Sequence, residues 1–591
     1  MRVLLLQPED SPRRGPWTKQ SWDLLVDLGR SSSQTAAAWS EMAGCPLLRA
    51  GSFSDGPADI KRAGEILSVG KGRLLDGEGI DWWTLQSLEI LLKALSVLTL
   101  QRLAREIPRS AILWATRPGE PAATFARIAG LPWRAYGNGW MAQSLNRARH
   151  YARLSRHFSP ARITEIFLDK YDSAYRRRAQ FASGNQPATM PVVLIPSAYT
   201  NVSRVACAYA RLLPDQAFLL VATRRSATLF DRQANVHLRA LASYAETRPP
   251  ARELREILEK WSALSRDLQP IAEIALLQRL GMFDHFPTAL ANGLAVRNAW
   301  RAVLEREPVC GVLCGDDTNI NTRLPVLLAA HRGLPTLDFH HGAMDGFYLA
   351  KPMPCDLYLA KNELERDYLL RVCGLPVNKV ALGAPSPAHS VAVRSHSPIN
   401  VEPARKTTIV LFSEPYENIG MRTEEVYREL LPALCRVARE TERGVVLKLH
   451  PFESFSQRSE IVRAILSPED RAQVRIVSGP LTEELLSETW AGVTVESTTV
   501  LDCAMRGIPC FLCAWLALAP FGYLRQYAKF GAGHVLHNAN EVADVARVIA
   551  EDSTSGRKTV GDAGFRWQVI EPQQLAQWIG AESPELEARR A

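Results

Sequence analysis

Short apolar runs alternate along the chain with longer stretches of helical period, the pattern of α/β units built on parallel sheets. Near the start, residues 3–7, 24–28 and 111–115 read as strands, the last of them preceded by a long helix over 82–105. A polar stretch, 182–189, reads as a linker. Beyond it come a strand at 192–196, a polar loop at 197–203, a helix, and a strand at 218–222. A helical stretch over 251–305 then leads to strands at 309–314 and 336–340. A second polar connector, 395–406, opens a region with strands at 408–412, 445–449, 474–477, 492–495 and 510–513. The expected organisation is an N-terminal α/β region (1–181), two Rossmann-like domains (190–394 and 407–560) and a C-terminal tail (561–591), with no solenoid repeat. Two such domains in succession imply parallel sheets facing across a cleft. Ligands of such sheets sit outside the carboxyl ends of the strands, so chemistry is sought just after strands.

The 591 residues leave room for three or four domains at roughly 150 residues each. A content of 47% hydrophobic and 22% charged residues fits large cores and excludes dominant disorder, a collagenous chain or a coiled coil. Ten scattered cysteines form no disulfide framework and read as the reduced thiols of a cytoplasmic enzyme. No stretch reads as transmembrane: 88–100 is interrupted by Glu89 and Lys93, and 508–524 by Pro509, Pro520 and Gly522. The first eight residues lack the apolar region and cleavage site of a signal peptide.

The net charge of +8 is uneven. Between Arg147 and Arg178 nine Lys/Arg stand against three acids, which places +6 of it in 32 residues. Arg149, Arg153 and Arg156 share one helical face, and Tyr151, Leu154 and Phe158 another. This segment, 147–178, reads either as a surface for anionic lipid or acidic glycan, or as a solvated helix face. No nucleic-acid-binding motif accompanies it.

Two segments after strands of the third region carry candidate chemistry. In Lys448-Leu449-His450-Pro451 the proline ends the strand and leaves His450 at its carboxyl end, where an imidazole can donate to a phosphate or carry a proton. In Glu496-Ser497-Thr498-Thr499 three adjacent hydroxyls precede a helix, and they serve equally as helix caps or as part of an anion site. The two segments lie 47 residues apart with one strand between them, so a parallel sheet brings both to the same end.

With His450-Pro451 and Ser497-Thr498-Thr499 in this order, the sequence resembles bacterial glycosyltransferases of the two-Rossmann GT-B fold that carry an HP motif and a Ser/Thr motif. These include Kdo transferases, polysialyltransferases and CDP-glycerol glycerophosphotransferases. The resemblance covers roughly residues 190 to 550 and leaves 1 to about 170 unaccounted for. It implies that both motifs contact the phosphate of a nucleotide-activated donor, most often CMP- or CDP-linked. Phe339-His340-His341-Gly342 resembles the family's QHG segment, with His340 in place of Gln. Topology and resemblance add Ser413-Glu414-Pro415 as a loop toward the donor, and Ser478-Gly479-Pro480-Leu481-Thr482 as a loop facing the nucleobase.

For the acceptor side, Gly315-Asp316-Asp317 follows a strand, and one carboxylate there could act as general base; Asp316 and Asp317 could equally cap the next helix. His340 and His341 are rival bases. The expected activity is sugar transfer from a nucleotide-sugar to a glycan or lipid-linked acceptor in surface polysaccharide synthesis (capsule or lipopolysaccharide). It would be cytoplasmic, with peripheral contact at the inner membrane face through 147–178. A sugar-nucleotide epimerase of the UDP-N-acetylglucosamine 2-epimerase type and a non-catalytic scaffold are the alternatives. No cofactor is expected, and metal-independent transfer is expected, because His450, hydroxyls and a helix dipole are available to the donor phosphate. Cys510-x-x-Cys513 lies within an apolar strand without a second ligand pair, and Gly70-Lys71-Gly72 lacks the remaining P-loop residues.

Overall fold

A computed structural model describes the chain except for residues 8–9, 11–14, 30, 32, 55, 137–187, 229–232, 245–250, 318, 341–353, 387–405, 417–422, 451–452, 480, 517–522, 555–566 and 582–591. His341, Pro451 and the basic segment 147–178 fall outside the described residues.

Among the described residues three parallel sheets follow one another. The first comprises β1 (Arg2–Leu6), β2 (Leu24–Asp27), β3 (Leu47–Arg49), β4 (Ile112–Ala115) and β5 (Trp133–Ala135), in the order β3-β2-β1-β4-β5. The second comprises β6 (Val192–Ser197), β7 (Ala217–Ala222), β8 (Val236–Ala240), β9 (Val309–Cys314), β10 (Thr336–Phe339), β11 (Leu357–Ala360) and β12 (Val380–Leu382), in the order β12-β11-β10-β9-β6-β7-β8. The third comprises β13 (Thr408–Phe412), β14 (Gly444–Lys448), β15 (Val474–Val477), β16 (Thr489–Thr494), β17 (Cys510–Cys513) and β18 (His534–Leu536), in the order β15-β14-β13-β16-β17-β18. Each sheet starts at an interior strand, winds out to one edge, then crosses back and continues on the other side. All three are therefore Rossmann-like and doubly wound, including the N-terminal one, whose winding the sequence did not reveal. β6 and β13 are buried along their whole length, as strands covered by helices on both faces must be.

The strands expected from apolar runs are present. Those not foreseen, β3, β5, β8, β11, β12 and β18, are three to five residues long and lie at or next to sheet edges. The expected loop at 197–203 is shorter, because a helix begins at Thr200. The expected helix over 82–105 is two helices, Trp82–Leu85 and Ser87–Arg105; Asp81 caps the first by accepting from the N–H of Trp83.

The N-terminal region shares a core with the second domain. Trp82 and Trp83 are fully buried in one apolar cluster with Trp261, Phe286, Leu294 and Trp300. Arg297, also buried, reaches out of helix Phe286–Arg306 to Asp76 at 2.6 Å and to Glu253, joining the two regions by charge as well. The segment expected as a tail supplies helix Pro572–Trp578, and Ile570, Leu575 and Ile579 complete the core on the other face of the second sheet.

The third domain has a core on each face of its sheet. Leu364, from the helix that follows β11, belongs to one of them. Gln526 donates to the Leu364 carbonyl at 2.9 Å and to Asp367 at 3.0 Å, and Lys529 pairs with Asp367. The segments leaving the carboxyl ends of the second and third sheets therefore meet. Beside the other core, Thr35 of the N-terminal region donates to Glu425 at 2.7 Å.

Candidate functional site

In the third sheet the winding reverses between β13 and β16, and the carboxyl ends of these strands are where doubly wound sheets bind ligands. Four loops converge there, after β13, β14, β15 and β16. Neighbouring strands are about 4.8 Å apart, so the ends of β14 and β16 are separated by roughly 10 Å, a span that a nucleotide diphosphate can bridge.

Each loop is held by its own polar contacts. His450 follows β14, and its backbone N–H donates to Glu453 Oε2 at 2.8 Å while the Glu453 N–H returns a bond to the His450 carbonyl at 2.9 Å. Glu453 Oε1 accepts from Arg458 Nε at 2.8 Å and from the Ser413 hydroxyl at 2.9 Å. Ser413 also shares a 2.7 Å bond with the Tyr427 hydroxyl. A buried ion pair thus fixes the turn that presents His450 and joins it to the end of β13. Burial first, and the Lys448 charge second, push the His450 imidazole down to about 4. In the absence of a bound anion this favours the uncharged ring at neutral pH, which can offer a hydrogen bond to a phosphate.

Glu414, just after β13, reaches the end of the neighbouring β16. Its Oε1 accepts from the Thr494 hydroxyl at 2.9 Å and from the N–H groups of Val495 (3.1 Å) and Glu496 (2.9 Å). Burial raises its pKa, and these donors act against that rise. Glu414 therefore acts on the Ser/Thr loop, holding its backbone, and is a positioning residue. Within that loop Ser497 accepts from the Thr499 N–H at 3.4 Å and from the Thr499 hydroxyl at 3.2 Å, while Thr498, the N-cap of helix Thr499–Met505, makes no side-chain capping bond. Thr498 is exposed and Ser497 and Thr499 are half-buried, which keeps the cluster within reach of solvent. Ser478 and Gly479, after β15, are exposed as well, while Thr482 caps helix Glu483–Glu488 through the N–H of Leu485.

The second sheet reverses between β6 and β9, and Gly315-Asp316-Asp317 leaves β9 at that point. The two carboxylates do part, as adjacent side chains on extended backbone must. Asp316 accepts from the Asn319 N–H at 3.3 Å, but the cap of helix Ile320–His331 is Asn319 itself, which accepts from the Asn321 N–H at 2.9 Å. Asp317 is fully buried and accepts from the Tyr358 hydroxyl at 3.3 Å. His340 is also buried, at the end of β10.

No protein-family profile and no curated sequence matches the chain. Similar solved structures exist. A UDP-GlcNAc 2-epimerase from Neisseria meningitidis bound to UDP-GlcNAc is 12% identical, covering 68% of this chain and 100% of its own, with a TM-score of 0.39. The S. aureus MnaA–UDP structure is 15% identical over 66% of this chain and 95% of its own (TM-score 0.42). The calicheamicin glycosyltransferase CalG4 is 13% identical over 68% and 98% (TM-score 0.39). These likenesses are remote, and the chain's own strand orders define its fold.

Sequence reasoning placed His450, Ser497, Thr498, Thr499, Glu414 and Gly479 at one end of one sheet, and the structure brings the loops that carry them to adjoining strand ends. It missed Glu453, Arg458 and Tyr427, which build the turn around His450. The available signal was Glu453 three residues after His450, a turn spacing. Among the described residues, no helix is long and apolar enough to cross a membrane.

Proposed function

We propose that the chain is a GT-B-type glycosyltransferase that moves a sugar from a CMP- or CDP-linked donor to a glycan or lipid-linked acceptor of a bacterial surface polysaccharide. The observation that supports this reading is the convergence of His450, Ser413-Glu414 and Ser497–Thr499 around the winding reversal of the third sheet. In this reading the donor phosphate lies between the imidazole and the Ser/Thr hydroxyls, and the loop after β15, exposed at Ser478 and Gly479, meets the base. The acceptor binds at the carboxyl end of the second sheet. There Asp316 or His341 takes the proton of an acceptor hydroxyl, its oxygen attacks the anomeric carbon, and the nucleotide leaves with the bonding pair. Metal-independent transfer, a cytoplasmic location and membrane contact through 147–178 belong to the same proposal.

The test is a thermal-shift panel of CMP, CDP, UDP, GDP and ADP on wild type and His450→Ala. A ligand at 100 times its Kd stabilises by about 2.7 kcal/mol, and this response to CMP or CDP should vanish in the variant. Transfer should then require an acceptor and fall in Asp316→Asn with nucleotide binding kept. An altered sugar formed from a nucleotide-sugar alone would instead indicate an epimerase. No response to any nucleotide would leave only a scaffold role.

A further inference from the structure

Lys448 ends β14 and is 5% exposed. It pairs in register with Phe412, and with Val446 two residues before it, so its side chain leaves the sheet on the face that carries both of these. Its ammonium donates to the carbonyl of Leu449 at 2.8 Å and to that of Gly479 at 2.6 Å. Both carbonyls lie just past the strand ends, so the charge sits at the carboxyl edge of the sheet, between the loops that carry His450 and Gly479.

Among the described residues no carboxylate lies within ion-pair distance of this ammonium. Glu453, the acid on the same loop, has Oε1 committed to Arg458 and Ser413 and Oε2 to the His450 N–H. Two carbonyl oxygens solvate a buried ammonium but leave its charge unbalanced, which is costly away from water. Burial lowers the pKa of Lys448, and the charge of Glu453 acts against that fall without reversing it. A buried cation with no ion pair among the described residues, whose neighbouring acid Glu453 is already paired with Arg458, is an arrangement at the carboxyl end of a doubly wound sheet that an anionic ligand completes.

We propose that Lys448 is the cation of an anion subsite at the carboxyl end of β14, taking a phosphate group of the ligand beside His450, and that its bond to Gly479 ties occupancy of this subsite to the loop after β15. For the identity of the ligand the inference rests on the nucleotide-site reading. It divides the work at the site: neutral His450 supplies a directed hydrogen bond, and Lys448 supplies the charge.

The experiment is calorimetric titration of the full chain with inorganic pyrophosphate, CDP and cytidine, for wild type, Lys448→Met and Lys448→Arg. Loss of one charge-assisted contact weakens binding by about tenfold or more. The expected result is that loss for pyrophosphate and CDP in Lys448→Met, with cytidine unchanged and Lys448→Arg close to wild type. Pyrophosphate binding that Lys448→Met removes, with no response to CDP or cytidine, keeps the subsite and ends the nucleotide reading. Equal pyrophosphate affinity in wild type and Lys448→Met overturns the proposal. So does equal loss of CDP and cytidine, which would make Lys448 only a pin for Gly479, and so does a wild type that binds neither pyrophosphate nor CDP. Should Lys448→Met not fold, Lys448→Gln carries the same comparison.

Discussion

The imidazole of His450 ties site chemistry to stability. Its pKa is about 4 in the folded chain against 6.5 for an unperturbed histidine. Between those values the unfolded chain binds more protons than the folded one, so the stability linked to this group is complete above about pH 6.5 and is lost as the pH falls toward 4. Each pKa unit corresponds to about 1.4 kcal/mol, and part exposure of the ring reduces the net effect to roughly 2 kcal/mol. Urea titrations at pH 7 and pH 4 should therefore show wild type losing roughly 2 kcal/mol more than His450→Gln. Equal losses would mean that the ring is well solvated. At this scale the candidate residues were legible in the sequence, because a histidine before a proline and a run of hydroxyls stand out directly after strands. The groups that orient them were not, since Glu453–Ser413 and Glu414–Glu496 join residues 40 and 82 positions apart.

Among the elements, long interior strands announce themselves by unbroken apolar runs, whereas edge strands do not. β8 carries His237 and Arg239 and β18 begins with His534, because an edge strand faces solvent and needs no continuous apolar run. The helix Pro572–Trp578 shows a related limit: its docking site lies on β9, more than 250 residues earlier. There Gly311 has no side chain, and a Cβ would run into the backbone carbonyl of Ile579. Gly311→Ala should therefore destabilise the chain by about 1–3 kcal/mol and speed hydrogen exchange across 572–578. Gly64→Ala, in a helix with open space at the same atom, should be neutral or stabilising by up to about 1 kcal/mol. Similar exchange in 572–578 for both variants would show that the helix is not seated on β9.

For the whole molecule, the N-terminal region is a structural part of the second domain. Removing residues 1–187 would expose the apolar surface that Trp82, Trp83, Ile90 and Leu91 cover, and would leave Arg297 without Asp76. Truncating one buried tryptophan costs about 3–5 kcal/mol, and breaking a buried ion pair costs a similar amount. A chain of 188–591 should accordingly aggregate or melt far below the full chain in sedimentation and thermal scans. A monomeric fragment with an unchanged melting temperature would show the two regions to be independent. The polar contact Thr35–Glu425 and the apolar seat of Leu364 connect this combined body to the third domain on opposite faces of its sheet.

The sequence by itself determined the class of the fold and the end of each sheet where chemistry could lie. Periodicity records whether a segment is covered on one face or both, and a proline or a hydroxyl run marks where a strand stops. Only the tertiary structure decided that the first region is also doubly wound, that helix Pro572–Trp578 returns to the second sheet, and that Lys448 is buried with no ion pair among the described residues. Strand order, long-range docking and the environment of a charge depend on which distant segments become neighbours, and local pattern does not encode that.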